Sequence, residues 1–347
     1  MTRLTSPPGF DELRRYSAII GADPTLIQGA GGNTSIKDGD GAVMWIKASG
    51  MLLADALDRD IFVPCDLPAM QEAVTKGTAR ADRPAEFSLL EGGLRPSIET
   101  SLHAVFPHRI VIHVHCVNTL ALAIRKDAKE VIATRLSGFN WAFVPYAKPG
   151  ADLAASVLAA REPDTDVVVL GNHGLIVAAE TVPKAEKLVA DVVAALAARP
   201  ETAPHDPVAL ASRAGDGFVP LPPENPLHCV ACLPRLLKAA LAGSLYPDHV
   251  IFCGVGVTVL QDGESPAMAL ERQQKAGLPP PPFLLVPGAG ALMQKDATDG
   301  ASALAQCLGD VLIRLESGAT VNPLTLEQNA ELLNWDAEKY RQSLNAG

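Results

Sequence analysis

Residues 109–118 read RIVIHVHCVN. Ile110, Val111, Ile112, Val114 and Val117 have the composition of a buried β-strand, and His113 and His115 interrupt it. Side chains alternate along a strand, so the two imidazoles share one face and can reach a common atom. That is the spacing of two metal ligands. It is also the spacing of a polar sheet face, and the rest of the chain has to separate the two readings.

Three further features bear on the choice. His173 lies in LGNHGLIV, flanked by Gly171 and Gly174 at the tip of a strand turn. Glu99, in RPSIETSLH, falls in the first turn of a helix expected to start after Pro96, with Ser97 as N-cap, and to run to Pro107. His103, one turn further on, faces the same way and is a rival ligand. The turns GAGGNTS and KASG expose backbone N–H groups, and Asn33, Ser35 and Ser49 add polar contacts suited to an anion. Three neutral imidazoles with a carboxylate suit zinc or another divalent first-row metal, acting as a Lewis acid on a substrate oxygen. Each feature alone also has a structural reading, since a first-turn glutamate serves the helix dipole and a histidine in a turn can serve the backbone.

Around these features the pattern is that of an α/β protein. FDELRRYSAIIG is an amphipathic helix ended by Gly21; a glycine turn, a polar strand, a DGDG turn and the strand AVMWIKA follow. After the histidine strand come a helix (LALAIRKDAKEVIATRL), the strand WAFVPYA and the helix DLAASVLAARE. DVVVLGNHGLIVAAE reads as two strands joined across GNHG, and VPKAEKLVADVVAALAAR as a helix. Strands meeting by short turns, covered by helices, indicate a largely antiparallel or mixed sheet. Residues 1–200 form the expected catalytic domain and the Pro- and Ala-rich residues 201–226 an expected linker. Residues 227–347 are expected to form a small α/β domain: a helix (CLPRLLKAALAG), the apolar strands HVIFCGVGVTVL and PFLLVPGAGALM, and two C-terminal helices. Its plainest role is that of a lid or an oligomerisation domain.

Of the 347 residues, 48% are hydrophobic and 20% charged, which fits a globular chain. A formal net charge of -10 argues against nucleic acid or an anionic membrane as partner while leaving room for a local anion pocket. The N-terminus lacks the basic-then-apolar pattern of a signal peptide, no apolar run reaches membrane-spanning length, and the six cysteines are thinly spread. Reduced thiols and a cytoplasmic location are expected. HCVAC holds one C-x-x-C, Cys229 and Cys232, with no second pair at zinc-ribbon distance. GAGALM lacks the third glycine of a dinucleotide loop, so no nicotinamide cofactor is expected.

The ordered series GGNTS, KASG, PSIETSLH, IHVH, VPYAKPG and GNHGL, covering nearly all of residues 10–200, resembles the class II aldolase/adducin family of sugar-phosphate aldolases and epimerases. The resemblance implies a central, mainly antiparallel sheet flanked by helices. It implies Zn2+, alternatively Mn2+ or another divalent ion, held by His113, His115 and His173, with Glu99 as a catalytic glutamate that also binds the metal. The adducin branch has lost the metal ligands, whereas all are retained here. GGNTSIKD, WIKASG, RPSIETSLHA and a C-terminal stretch ending ELLNWDAEKYRQSL are most similar to the aldolase half of fused rhamnulose-phosphate aldolase/short-chain dehydrogenase proteins. No counterpart of the dehydrogenase half is expected within these residues.

Two departures bear on the substrate. Where phosphate-binding members carry paired serines before the glutamate, Ser97 is followed by Ile98, which cannot hydrogen-bond an anion; Lys47 stands two residues before Ser49 and can supply charge instead. Gly32, Asn33, Lys47, Ser49, Gly50 and Ser97 are the expected holders of an anionic tail, phosphate or carboxylate. Glu99 is expected to move the proton at the nucleophilic carbon of a metal-stabilised enediolate, its pKa raised by Ile98 and Leu102, with Tyr146 as candidate proton donor to the aldehyde oxygen. The expected activity is a retro-aldol carbon–carbon lyase on a sugar phosphate or related hydroxy-carbonyl compound. Decarboxylation of a β-keto sugar acid, or epimerisation, is the alternative on the same site, and a non-catalytic adducin-like interaction protein the alternative of another class. The resemblance also implies a homo-oligomer, a tetramer in preference to a dimer.

Overall fold

The computed structural model describes residues 4–334, so the end of ELLNWDAEKYRQSL lies outside the described residues. They divide into two compact units: residues up to Thr119 with Lys129–Leu196, and Leu120–Ala128 with the residues from Ala197 onward.

The first unit is built on a mixed sheet of β1 (Asn33–Lys37), β2 (Val43–Lys47), β3 (Phe62–Asp66), β4 (Ile110–Val114), β5 (Trp141–Val144), β6 (Val167–Leu170) and β7 (Gly174–Ala179). The order is β3-β2-β1-β4-β7-β6-β5, antiparallel throughout except for β5 with β6. The histidine strand β4 is therefore central, between β1 and β7, and all its residues are buried, which accounts for its unbroken aliphatic start. Asp38 closes the DGDG turn, its carboxylate accepting from Ala42 N at 2.8 Å and Val43 N at 3.1 Å. Helices Phe10–Gly21 and Val182–Ala195 pack on each other, the former against β1 and the latter against β4 and β7. Helices Leu67–Thr75, Thr100–Ala104 and Ala151–Ala160 pack together over a core that includes Val111, Leu102, Phe106 and Ile176. Val111 and His113 share a face of β4, so His113 looks toward the helix that follows Glu99.

Two expectations between Pro96 and Arg135 need correction. The helix after Pro96 spans only Thr100–Ala104, and Glu99 stands just outside it at φ −90°, ψ 15°, the sparsely populated bridge region. Ser97 forms a turn in place of the first helical turn: its carbonyl accepts from Thr100 N at 3.0 Å and its hydroxyl from Glu99 N at 3.3 Å. The single helix expected after the histidine strand is two, Val117–Ala123 and Ala128–Arg135. Between them Arg125 pairs with Asp127 and Glu316, and the backbone from Ile124 to Lys126 bonds to residues 320–322, so tertiary pairing overrides helix propensity.

The second unit holds β8 (Phe218–Pro220), β9 (Phe283–Val286) and β10 (Gly290–Gln294) in the order β8-β10-β9, both pairings antiparallel. The stretch expected as a linker contains β8 and helix Pro207–Arg213, capped by the Asp206 carboxylate. Its proline-rich composition marks short elements, not an unstructured connection. HVIFCGVGVTVL, expected as a strand, supplies helix Pro247–Cys253, which starts on a proline with an acid in its first turn and packs on helices Asp299–Leu312 and Leu326–Asn334. PFLLVPGAGALM is the hairpin β9–β10, and of CLPRLLKAALAG only Pro234–Ala240 is one helix, since Cys232 ends the preceding helix Leu227–Cys232 and Leu233 is extended before Pro234.

Candidate metal centre

β4 ends in His113-Val114 and runs on to His115, while the β6–β7 turn carries His173. Gly171 N donates to Val144 O at 2.7 Å, and Asn172 takes a left-handed conformation (φ 55°) that asparagine tolerates. A Cβ on Gly174 would stand 2.6 Å from Val114 O and 3.3 Å from the rings of both His113 and His115. Glycine there lets the turn close onto the strand. The three rings converge, with centroids 4.9–5.3 Å apart and one ligand nitrogen from each within 4.8 Å of the others.

The donor chemistry fits a cation. His113 Nδ1 lies 3.1 Å from Leu175 O; a carbonyl only accepts, so Nδ1 carries the proton and the neutral ring presents its Nε2 lone pair. That Nε2 faces His115 Nε2 at 3.1 Å, a contact favourable only with a shared proton or a cation. Three imidazole nitrogens beside a carboxylate are a donor set for zinc or a neighbouring first-row ion.

Glu99 completes the group. Its Oε1 lies 3.3 Å from His173 Nε2, and its Oε2 lies 3.5 Å from His113 Nε2 and accepts from Asn33 Nδ2 at 2.7 Å. Burial pushes this carboxyl up, while His113, His173 and His115, where they carry a second proton, and then the Asn33 amide pull it down to about 2. Where the rings are neutral, burial still acts in the raising direction expected from the sequence. His103, the rival ligand, instead bonds Ser35 Oγ through Nδ1 at 2.7 Å and is kept neutral by burial, with its pKa lowered to about 3.

The two glycine turns meet beside Glu99. Ala48 bridges Pro96, Ser49 N donates to Arg95 O, and Ser97 N donates to Lys47 O, which lays KASG along RPS. The buried Lys47 ammonium donates to Ala30 O and Met51 O, each at 2.8 Å, and so ties GAGG to KASG. Gly32 (φ +58°) admits no side chain, since a Cβ would meet His113 O at 2.8 Å. Asn33 and Ser97 touch each other at 3.2 Å, and both touch Glu99. Tyr146 follows β5, half-buried, with its backbone nitrogen 3.1 Å from where a Cβ on Gly171 would stand.

Two contributors carry no sequence signal. Gln28, within the glycine-rich stretch, is buried and reaches the carbonyls of Pro24 at 2.7 Å and His115 at 3.4 Å. Leu175 orients His113 through its backbone alone, which residue type cannot reveal.

The chain is similar to known proteins. At 30% identity over 188 residues, it matches the uncharacterized oxidoreductase YuxG of Bacillus subtilis (strain 168), covering 50% of this chain and only 27% of that protein's length. The N-terminal class II aldolase domain of a conserved protein from Thermoplasma acidophilum aligns at 27% identity with a TM-score of 0.50, over 56% of this chain and 95% of that one. Residues 12–198, more than half of the sequence, match the class II aldolase and adducin N-terminal domain, and the chain belongs to that family.

Proposed function

We propose that the protein is a divalent-metal-dependent aldolase, a carbon–carbon lyase acting on a hydroxy-carbonyl compound with an anionic tail. The observation that carries this reading is the convergence of three imidazoles on one point, with His113 locked in the tautomer that offers Nε2 and with Glu99 against the same point. His113, His115 and His173 would hold Zn2+ or Mn2+, with Glu99 as an additional ligand before substrate enters. Such an ion, when bound, polarises a carbonyl oxygen and stabilises the negative charge that develops there.

The remaining work falls to side chains and turns. Glu99, held anionic at neutral pH, accepts and returns the proton at the nucleophilic carbon. Tyr146 is the proposed proton donor to the departing aldehyde oxygen. Gly32, Ser49 and Gly50 line the proposed anion subsite, with Gly32 and Gly50 in left-handed conformations, and Lys47 adds positive charge. Because Ser97 already accepts from Asn33 and Glu99 and Ile98 offers no hydroxyl, the phosphate cradle is lean. That leanness keeps a carboxylate-bearing substrate, and with it decarboxylation of a β-keto sugar acid, as the second reading. A homo-oligomer in the cytoplasm, tetramer before dimer, belongs to the same proposal.

The test is a screen of ketose 1-phosphates, their unphosphorylated forms and β-keto sugar acids, with Zn2+ or Mn2+ supplied. The expected result is aldehyde release that a chelator removes and added metal restores, and that Glu99→Gln lowers by about 100-fold or more. Release of CO2 without aldehyde selects the decarboxylase, and no turnover of any of these classes contradicts the lyase.

A further inference from the structure

The sheet ladder does not hold all three histidines. The ladder of β4 with β1 ends at the pair Asn33–His113 and that with β7 at Leu175–Val114, so His115 stands one residue past the last pair. Residues 23–28, which lead from helix Phe10–Gly21 into the glycine turn, meet the chain at this point. Val117 N donates to Thr25 O at 2.9 Å. Gln28 Nε2 donates to Pro24 O at 2.7 Å and to His115 O at 3.4 Å. The Asp23 carboxylate fixes the loop from its other end, accepting from Thr25 N at 2.8 Å and from Thr25 Oγ1 at 2.7 Å. We propose that Gln28 is a positioning residue for His115, holding the backbone of a metal ligand that lies past the end of the ladder.

The amide at this position supports that role. Gln28 is 3% exposed, and both atoms that its Nε2 reaches are carbonyl oxygens. A carbonyl only accepts, so the two N–H groups of Nε2 serve one carbonyl each and Oε1 points away. Oε1 is buried with no hydrogen-bond donor among the described residues. A buried oxygen without a donor is costly, and a position that needed only to be filled would be better served by an apolar side chain of the same length. What the amide adds is its pair of N–H groups. One holds the loop to itself at Pro24, and the other joins the loop to His115. Gln28 also bears on the glycine turn, because its carbonyl accepts from Gly31 N at 2.9 Å. An imidazole follows the backbone that carries it, and metal affinity depends on such supporting contacts. The role rests on the reading of His115 as a metal ligand.

The experiment compares the parent with Gln28→Met, which keeps the length and removes both N–H groups, and with Gln28→Asn, which keeps the amide and shortens its reach. Hydrogen exchange is followed by mass spectrometry on the metal-free proteins, and Zn2+ affinity by competition with a chromogenic chelator. In Gln28→Met, exchange over residues 115–118 is expected to quicken about 10-fold while residues 110–114 keep the parent rate. Zn2+ affinity is expected to fall about 10-fold, and Gln28→Asn to change both quantities in the same direction by less. Parent exchange rates over 115–118 would overturn the proposal, and so would faster exchange with Zn2+ affinity kept. An equal quickening along the whole of β4 would mark a purely structural role and overturn it too. If Gln28→Met does not fold, Gln28→Asn decides by the same criteria. If the parent takes up no Zn2+, the metal-centre reading fails and the ligand role with it, while the exchange rates still show whether Gln28 holds the end of the strand.

Discussion

The hairpins β6–β7 and β9–β10 each set a glycine against a histidine, and the two histidines end in opposite chemical states. At β6–β7, Gly174 makes room for the rings of His113 and His115, and His113 spends one nitrogen on a backbone carbonyl while the other faces its neighbours. At β9–β10, Gly290 makes room for His228, whose Nδ1 a Cβ would meet at 2.5 Å. His228 spends both nitrogens on backbone: Nδ1 accepts from Ala291 N at 3.1 Å, and Nε2 lies 3.2 Å and 3.1 Å from the carbonyls of Leu221 and Pro222. Its ring also stacks on His205, with centroids 4.2 Å apart. Burial pushes the nearby Cys229 and Cys232 thiols up, away from the thiolate that metal or redox chemistry requires. Histidines and cysteines gathered in one place do not make a site. Three imidazoles converging on one point beside a carboxylate do.

Alanine at each glycine separates the two states. Gly174→Ala is expected to carry the larger effect on the metal, lowering Zn2+ affinity by about 10- to 100-fold as the turn is pushed off Val114 and the imidazoles. Isothermal titration with the metal reads it, and an unchanged affinity would mean the turn does not set the histidine geometry. Gly290→Ala is expected to leave Zn2+ affinity intact and to cost about 3 kcal/mol in urea unfolding, through a side chain at φ +143° pressed on His228. A loss of metal from that variant would break the distinction.

The smallest effect is a pH dependence from His103. Burial lowers its pKa from 6.5 to about 3, so between those values the unfolded chain binds a proton that the folded chain refuses. The stability it contributes is complete above pH 6.5 and is lost as the pH falls toward 3, amounting to about 2 kcal/mol by about pH 5. Unfolding of the parent and of His103→Gln at neutral pH and at about pH 5 should differ by that amount, and identical pH slopes would show that His103 takes no part.

Much of the first unit could be read from residue order. The period of two in IHVH, the glycines around His173 and the end of the first helix at Gly21 each have a local cause, and local causes survive folding. The direction of the Glu99 shift did not follow from its neighbours Ile98 and Leu102. The downward pull comes from imidazoles of the histidine strand and the β6–β7 turn when they are protonated, and no window around Glu99 contains them. The run HVIFC has β-branched composition yet forms a helix, because Pro247, Asp248 and the faces of two later helices decide it. Asn33 and Ser97 read as anion-binding residues by type, and only the distances show that both touch Glu99. Where the cause is a contact across the fold, the sequence names the participants without their pairing.

The central claim is that His113, His115 and His173 form one divalent metal centre. The most direct measurement is metal content of the purified protein and of His113→Ala, His115→Ala and His173→Ala, by mass spectrometry after equilibration with Zn2+ and gel filtration. One equivalent of Zn2+ per chain is expected in the parent, with loss of most of it in each variant while the fold is retained by circular dichroism. One full equivalent persisting in all three variants would contradict it.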